Sequence, residues 1–132
     1  NESEINILNY GLSNDEKQGV SFQKFESDMA NTISNETLDY NLKKTTTETI
    51  NTISINYVIK KFNIKEFQLV LDIEGEELNV LKINNNWLPK CKSILLENHL
   101  PKDKLNDLNN YVIKKGFKII SKKENVFLFY RH

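Results

Sequence analysis

The chain has 132 residues and a mass of 15.5 kDa, and its 18 basic and 18 acidic side chains give a net charge of zero at pH 7. This length is enough for one domain with its own core. The balanced charge excludes a global attraction to nucleic acid, and the only arginine, Arg131, leaves almost no bidentate reader of bases or phosphates.

The sequence also indicates in which cellular compartment the protein is expected. It contains no apolar run close to the roughly 18 residues that a membrane span needs and no visible signal peptide. The single cysteine, Cys91, cannot form an internal disulfide, which is typical of proteins in a reducing compartment; we expect a passive thiol, at the surface or half-buried. We therefore expect a soluble, cytoplasmic protein with one domain over residues 1–132.

The first third of the chain predicts two short strands. Apolar residues in 4–10 indicate the first strand, and the polar, turn-rich residues 11–18 indicate a loop. A second strand is expected around Val20, Phe22 and Phe25. Because the chain opens within a strand-like stretch and its only methionine is Met29, we expect it to be the carboxyl-terminal part of a longer domain.

The segment that follows contains a long polar stretch, an extended stretch and a helix. Residues 26–44 are long, polar and free of glycine and proline, so they are either a functional lid or a stretch whose elements the pattern does not reveal. Residues 45–52 are rich in β-branched side chains and are expected to be extended. Ser54 is predicted to cap the helix that follows, because Ile55, Ile59 and Phe62 recur at helical spacing.

Residues 67–82 form the central motif, which predicts a strand, a sharp turn and a helix. The apolar run over 67–73 is typical of a strand covered on both faces of a parallel sheet, rather than of an edge strand. Gly75 permits a tight reversal. Glu74, Glu76 and Glu77 would then stand at the start of the helix, where the free backbone N–H groups favour acids.

The remainder of the chain predicts a second strand, a helix and a hairpin. Residues 93–97 are a second apolar run, which ends in Glu97 and is followed by His99. A strand, a helix and a strand in this order make a crossover with parallel strands, so Asp72 and Glu97 should lie at one rim of the sheet. Residues 103–115 predict a helix that stops at Gly116, and residues 117–121 and 126–130 predict a closing hairpin.

The order of these elements resembles the carboxyl-terminal part of a class I methyltransferase fold. Residues 71–82, LDIEGEELNVLK, resemble the D-x-E-G-x-E-x-x-V-L signature of FkbM-family methyltransferases. Residues 95–99 (LLENH) resemble that family's second acidic strand end, and residues 115–117 (KGF) its penultimate strand entry. The resemblance implies an α/β fold: a partial Rossmann-like sheet with parallel central strands and a closing antiparallel hairpin, whose first strands are missing.

The resemblance also implies an activity, the transfer of a methyl group from S-adenosylmethionine to a hydroxyl oxygen of a sugar, lipid or secondary metabolite. The partner would then be a small-molecule acceptor. Asp72, Glu74 and Glu77 match the signature acids of the family, and Glu97 with His99 matches the family's second acidic strand end. Two roles stay open for these residues: a carboxylate or imidazole could take the acceptor's proton, or the acids could hold a divalent metal ion. Crowded acids should raise one another's pKa.

A cofactor site in this fold usually needs a strand with a glycine-rich turn and a second strand that ends in an acid. The four glycines of this chain do not cluster, and no such strand and turn precede residue 5, so half of the cofactor site is expected to be missing. The resemblance leaves Gly11, Leu12 and Ser13, which follow the first predicted strand, as the candidates that would line the adenine side.

Other interpretations remain open. Asp72, Glu74 and Glu77 could simply be favourable acids in a turn and at a helix start, and His99 could be a loop or interface histidine. The alternative function is a non-catalytic α/β binding or assembly module derived from a methyltransferase fold. Missing first strands would leave an open sheet edge, which tends to pair with a second copy and would give a homodimer.

Overall fold

The computed structural model of the protein describes residues 5–26, 32–33 and 43–131. Within these residues, no helix is long and apolar enough to cross a membrane. The helices and strands, in chain order, are β1 (Gly11–Leu12), β2 (Lys17–Phe25), β3 (Lys44–Ile53), α1 (Ile55–Lys61), β4 (Phe67–Leu71), α2 (Glu77–Lys82), β5 (Cys91–Glu97), α3 (Lys102–Lys114), β6 (Lys118–Lys123) and β7 (Val126–Tyr130). A 3-10 turn, Leu88–Lys90, precedes β5.

The strands form two sheets. The first has the order β1-β3-β2, in which β2 is antiparallel and β1 parallel to β3. The second has the order β4-β5-β7-β6, in which β4 and β5 are parallel and the other pairs are antiparallel. The chain is therefore a mixed α/β protein, and its second sheet contains the predicted pair of parallel strands and the predicted closing hairpin.

Several local predictions are confirmed. The hydroxyl of Ser54 accepts a hydrogen bond from the backbone N–H of Tyr57 at 3.1 Å and caps α1. Helix α3 ends just before Gly116, which has a φ of +93° and so supplies the left-handed stop. Because β4 and β5 are parallel, Asp72, which follows β4, and Glu97, which ends β5, lie at the same rim.

The prediction that β4 is covered on both faces is wrong. Among the described residues β4 pairs only with β5 and forms one edge of its sheet. Leu71 is 1% exposed, whereas Val70 is 72% exposed. Successive side chains of a strand point to opposite faces, and only the face that carries Phe67, Leu69 and Leu71 contacts the core.

The predictions for the first residues are also corrected. Residue 4 lies outside the described part, and residues 5–10 do not form a strand. Ile5 and Ile7 are exposed, because the parallel pairing with β3 involves only Gly11 and Leu12, at the end of that strand. The predicted loop over residues 11–18 thus contains β1 and the start of β2, while the predicted extended segment 45–52 is confirmed by β3.

Most of the predicted segment 26–44 lies outside the described residues. Its described part includes Thr32, which pairs with Gln23 of β2. The N–H of Gln23 donates to the carbonyl of Thr32 at 2.8 Å, and the N–H of Thr32 donates back to the carbonyl of Gln23 at 3.0 Å. This pairing places Thr32 and Ile33 against the β2–β3 sheet.

The core lies between the second sheet and the helices. Side chains that are at most 1% exposed include Leu71, Leu81, Ile94, Leu96, Leu108, Phe117, Phe127 and Phe129. The rings of Phe127 and Phe129 stack with their centroids 6.2 Å apart. Burial of this many large side chains is the main favourable contribution to folding, and it fixes the carboxyl ends of β4 and β5, where the acids lie.

Cys91 belongs to this core, and the expectation of a surface or half-buried thiol is wrong. The residue is fully buried, and its thiol donates a hydrogen bond to the carbonyl of Ser93 at 3.2 Å. Burial raises the pKa of the thiol to about 11 from 9.0. We therefore expect the folded protein to react with thiol reagents only on unfolding.

The raised pKa of Cys91 also predicts a dependence of stability on pH. In the unfolded chain the thiol ionises near pH 9.0, and in the folded chain near pH 11, so the folded state loses stability as the pH rises through this window. Urea unfolding of the wild type and of Cys91→Ala measures the effect. The stability difference between the two proteins should shrink above pH 9.0, and a constant difference would contradict the assignment.

Candidate functional site

The four acids that the family resemblance singles out, Asp72, Glu74, Glu77 and Glu97, meet around the imidazole of His99. Oε1 of Glu77 lies 2.9 Å from Nδ1 of His99. The other ring nitrogen, Nε2, lies 3.5 Å from Glu74, 3.7 Å from Asp72 and 3.9 Å from Glu97. The side chain of His99 is only 5% exposed. We call these five residues the acidic rim.

The turn between β4 and α2 brings three of these acids to His99. Glu74 and Gly75 both have positive φ, +50° and +101°, and two successive left-handed residues reverse the chain sharply. A non-glycine residue in this region costs about 1–3 kcal/mol, and such residues are enriched at functional sites. The hydroxyl of Thr32 donates a hydrogen bond to the carbonyl of Glu74, and this contact helps to hold the turn.

Glu77 is the first residue of α2 and is completely buried. Its Oε1 accepts a hydrogen bond from the N–H of Gly75 at 3.3 Å in addition to its contact with His99. The start of a helix favours a carboxylate electrostatically, although α2 has only six residues. Because it contacts Nδ1, Glu77 fixes the orientation of the imidazole and leaves Nε2 facing the other three acids.

Burial and crowding shift two pKa values in the acidic rim. Burial raises the pKa of Glu74; the charge of His99 opposes this shift, and Asp72, Glu77 and Glu97 add to it. Burial lowers the pKa of His99, but the hydrogen bond that its Nδ1–H donates to Glu77 and the charges of the nearby carboxylates outweigh burial and raise the pKa overall. The prediction that crowded acids raise one another's pKa is thus confirmed for Glu74, where burial is the larger cause.

A cavity of about 500 Å³ opens beside the acidic rim. This volume lies in the range of small-molecule sites. Its walls come from the residues before and in β1, from β2 and β3, from the short described segment 32–33, and from the turn after β4. The lining residues are Tyr10, Gly11, Leu12, Phe22, Thr32, Ile33, Ile50, Asp72, Ile73 and Glu74. The cavity is therefore largely apolar, with two carboxylates at one end.

Two of the three residues proposed for the adenine side line this cavity. Gly11 and Leu12 belong to its wall, and a Cβ atom on Gly11 would lie only 2.8 Å from Cδ1 of Ile50. Ser13 has another role in the structure: its hydroxyl donates to Oε2 of Glu76 at 3.3 Å, and its N–H donates to the carbonyl of Ile53 at 3.0 Å. Ser13 thus connects the loop after β1 to the start of α2.

Sequence reasoning did not identify the walls that β2, β3 and the described segment 32–33 contribute. Phe22 was predicted as a strand residue, but its position in a cavity wall depends on how the first sheet packs against the β4–α2 turn. Thr32 gave no signal at all, because its contact with Glu74 joins residues 42 positions apart in the chain. Such contacts have no local pattern.

The acidic rim contains a group of the kind that can hold a metal ion. Asp72, Glu97 and His99 each offer one ligand atom, and these atoms all lie within 4.8 Å of one another. Asp72 and Glu97 are exposed, whereas the imidazole is buried. The three residues therefore form a partly open cluster, of which Asp72 also lines the cavity.

Comparison with known protein families identifies a family that matches most of the chain. The family model described as "Methyltransferase FkbM domain" matches residues 1–119. The matched region contains every residue of the acidic rim and every residue that lines the cavity. Comparisons with curated proteins and with solved structures find no match.

Proposed function

The chain belongs to the FkbM methyltransferase family, and from this premise we propose that it takes part in S-adenosylmethionine-dependent methyl transfer to a hydroxyl oxygen. The acceptor would be a small molecule, such as a sugar, a lipid or a secondary metabolite. The observation that carries the proposal is the convergence of the acidic rim on His99 beside a cavity. A site for such a reaction needs room for two small molecules and a group that takes a proton.

The residues of the cavity fit the proposed cofactor. S-adenosylmethionine supplies an electrophilic methyl group on a positively charged sulfur. Leu12, Phe22 and Ile50 give apolar walls that suit an adenine ring, and Asp72 and Glu74 give the negative charge that suits a cation. Gly11 allows β1 to approach Ile50 closely. These features support a role of the cavity in cofactor binding.

Within the acidic rim we assign proton removal to Glu74. Its side chain lines the cavity and is only 15% exposed. Its Oε2 is buried and has no hydrogen-bond partner among the described residues. An acceptor hydroxyl loses its proton as its oxygen forms the new bond to carbon, and a free, buried carboxylate oxygen next to it can take that proton. Glu77 and His99 would position the neighbouring groups.

The proposal predicts the chemistry of the product. The protein, incubated with cofactor labelled in the methyl group and with a small-molecule extract, should transfer label to an acceptor as a methyl ether. A methyl ether survives mild alkaline treatment, whereas a methyl ester is hydrolysed and releases methanol. Label that is stable to alkali and attached to oxygen supports the proposal. Label that is released by alkali, or is attached to nitrogen, contradicts a hydroxyl acceptor.

A second candidate function is a non-catalytic binding or assembly module. One observation favours it: β4 is an edge strand in the described part of the chain and exposes Val70 to 72%. Exposed edges pair readily with other strands, so this candidate predicts a homodimer through β4. Sedimentation should then show a dimer that Val70→Lys disrupts, because lysine protects strand edges. A wild type that stays monomeric at micromolar concentration would contradict edge pairing.

A further inference from the structure

Within the described residues, one nitrogen of the His99 imidazole, Nε2, has no hydrogen-bond partner at bonding distance. Nδ1 is engaged by Glu77, so a neutral ring that donates from Nδ1 presents a lone pair at Nε2. This side chain is 95% buried, with 5% exposed, and Nε2 faces oxygens of Asp72, Glu74 and Glu97. Nε2 and these three oxygens thus form an electron-rich cluster, to which a cation would be attracted.

The distances indicate which positive charge fits. An N–H donor on Nε2 would need an oxygen at about 2.7–3.2 Å, but the nearest carboxylate oxygens lie at 3.5, 3.7 and 3.9 Å. Two ligands that each bind one cation at about 2.1 Å are about 3.0 Å apart in neighbouring octahedral positions and about 4.2 Å apart in opposite positions. The separations of Nε2 from Asp72 and Glu97, 3.7 and 3.9 Å, fall between these two values. Both carboxylates are about half exposed, so a small rotation of each side chain would bring its oxygen to an octahedral position.

We propose that Asp72, Glu97 and His99 bind one hard divalent cation, Mn²⁺ or Mg²⁺, next to the cavity that Asp72 lines. Two carboxylates and one imidazole match the ligand preference of Mn²⁺ well and that of Mg²⁺ adequately. The set does not resemble a zinc site of the structural kind, which needs four protein ligands. Three protein ligands leave three octahedral positions for water or for an oxygen of the acceptor.

Glu77 would not bind the cation itself but would hold the imidazole of His99 in the orientation that binding needs. Histidine ligands of metals usually donate their second N–H to a carboxylate, which fixes the tautomer and the orientation of the ring. Oε1 of Glu77 has this relation to Nδ1 of His99, at 2.9 Å, and is itself held by the N–H of Gly75. Glu77 is therefore a positioning residue for the cation site.

The catalytic role of the cation rests on the proposed function, whereas its binding does not. A cation beside the cavity would hold the acceptor's hydroxyl oxygen and favour loss of its proton. The proton would go to the carboxylate of Glu74, which lines the same cavity, and the charge of the cation would offset the repulsion among the acids.

The inference is tested by titrating the chain with Mn²⁺ and measuring the concentration of free Mn²⁺ by electron paramagnetic resonance. We expect one Mn²⁺ per chain, displaced by Mg²⁺. Asp72→Asn, Glu97→Gln and His99→Gln should each weaken binding at least about tenfold, and Glu77→Gln about 10- to 100-fold. Glu66→Gln is the matched control: Glu66 pairs with Lys92 at the opposite end of β4 and should bind Mn²⁺ like the wild type.

The outcomes separate this inference from the proposed function. Failure of the wild type to bind Mn²⁺, or equal binding by the wild type, Asp72→Asn and Glu97→Gln, overturns the cation site. Asp72 and Glu97 are about half exposed, so these two variants are expected to fold, as circular dichroism can verify. Mn²⁺ binding without methyl transfer would retain the site and reject the proposed function. Methyl transfer that persists in the presence of a chelator, by a protein that does not bind Mn²⁺, would reject the cation site and retain the proposed function.

Discussion

Replacing Glu74 by glutamine is expected to lower the rate of methyl transfer about 10²- to 10⁴-fold, the usual contribution of a positioned proton acceptor. The substitution keeps the shape of the side chain and the left-handed backbone at this position, but an amide cannot take a proton from a hydroxyl. Oε2 of Glu74 makes no hydrogen bond within the described residues, so little stability should be lost. Single-turnover rates at saturating cofactor measure the effect.

The control for this experiment is Glu66→Gln. It makes the same chemical change at the amino end of β4, where Glu66 contacts Lys92 at 2.9 Å, and it should leave the rate unchanged. A Glu74→Gln protein that is folded and retains the wild-type rate would remove Glu74 from the reaction. The acidic rim would then act through another carboxylate or only through binding.

Replacing Glu77 by alanine is expected to lower the free energy of unfolding by about 1–3 kcal/mol, the cost of leaving buried hydrogen-bonding groups without partners. The carboxylate is completely buried and contacts both His99 and the N–H of Gly75. Its loss should also reduce methyl transfer, because the turn that carries Glu74 and the ring of His99 would lose their common contact. Urea unfolding and turnover measure the two effects.

Glu77→Gln distinguishes positioning from simple packing. The amide oxygen can still accept a hydrogen bond from Gly75 or from Nδ1 of His99. We therefore expect Glu77→Gln to be nearly as stable as the wild type and to transfer methyl groups faster than Glu77→Ala. If alanine and glutamine reduce turnover equally while differing in stability, the charge of Glu77 matters rather than its hydrogen bonds. If neither variant changes turnover, Glu77 has no part in the site.

The parts of the fold that could be predicted are those with a local pattern. The apolar runs of β4 and β5 and the helix between them predict parallel strands, and this pairing places Asp72 and Glu97 at one rim. Gly116 marks the end of α3 because only a glycine adopts its positive φ at low cost. The topology predicts only that Asp72 and Glu97 share a rim; Glu74, Glu77 and His99 are added by the resemblance to the FkbM family.

The parts that could not be predicted depend on contacts far apart in the chain. The alternation of Ile5 and Ile7 resembles a strand, but β3 offers partners only to Gly11 and Leu12. The apolar run of β4 does not reveal that Val70 faces solvent at a sheet edge. Likewise the cavity requires β2, β3 and Thr32 to pack against the turn after β4, and no spacing in the sequence encodes that packing.

The most direct test of the central claim, that the cavity beside the acidic rim is the cofactor site of a methyltransferase, is a calorimetric titration with S-adenosylhomocysteine. This compound should occupy the cofactor site without reacting. We predict saturable binding of one molecule per chain, with amide chemical shift changes at Gly11, Ile50 and Ile73, which line the cavity, and weaker binding by Gly11→Val. Absence of both heat and shift changes, or shift changes confined to residues outside the cavity, would contradict the claim.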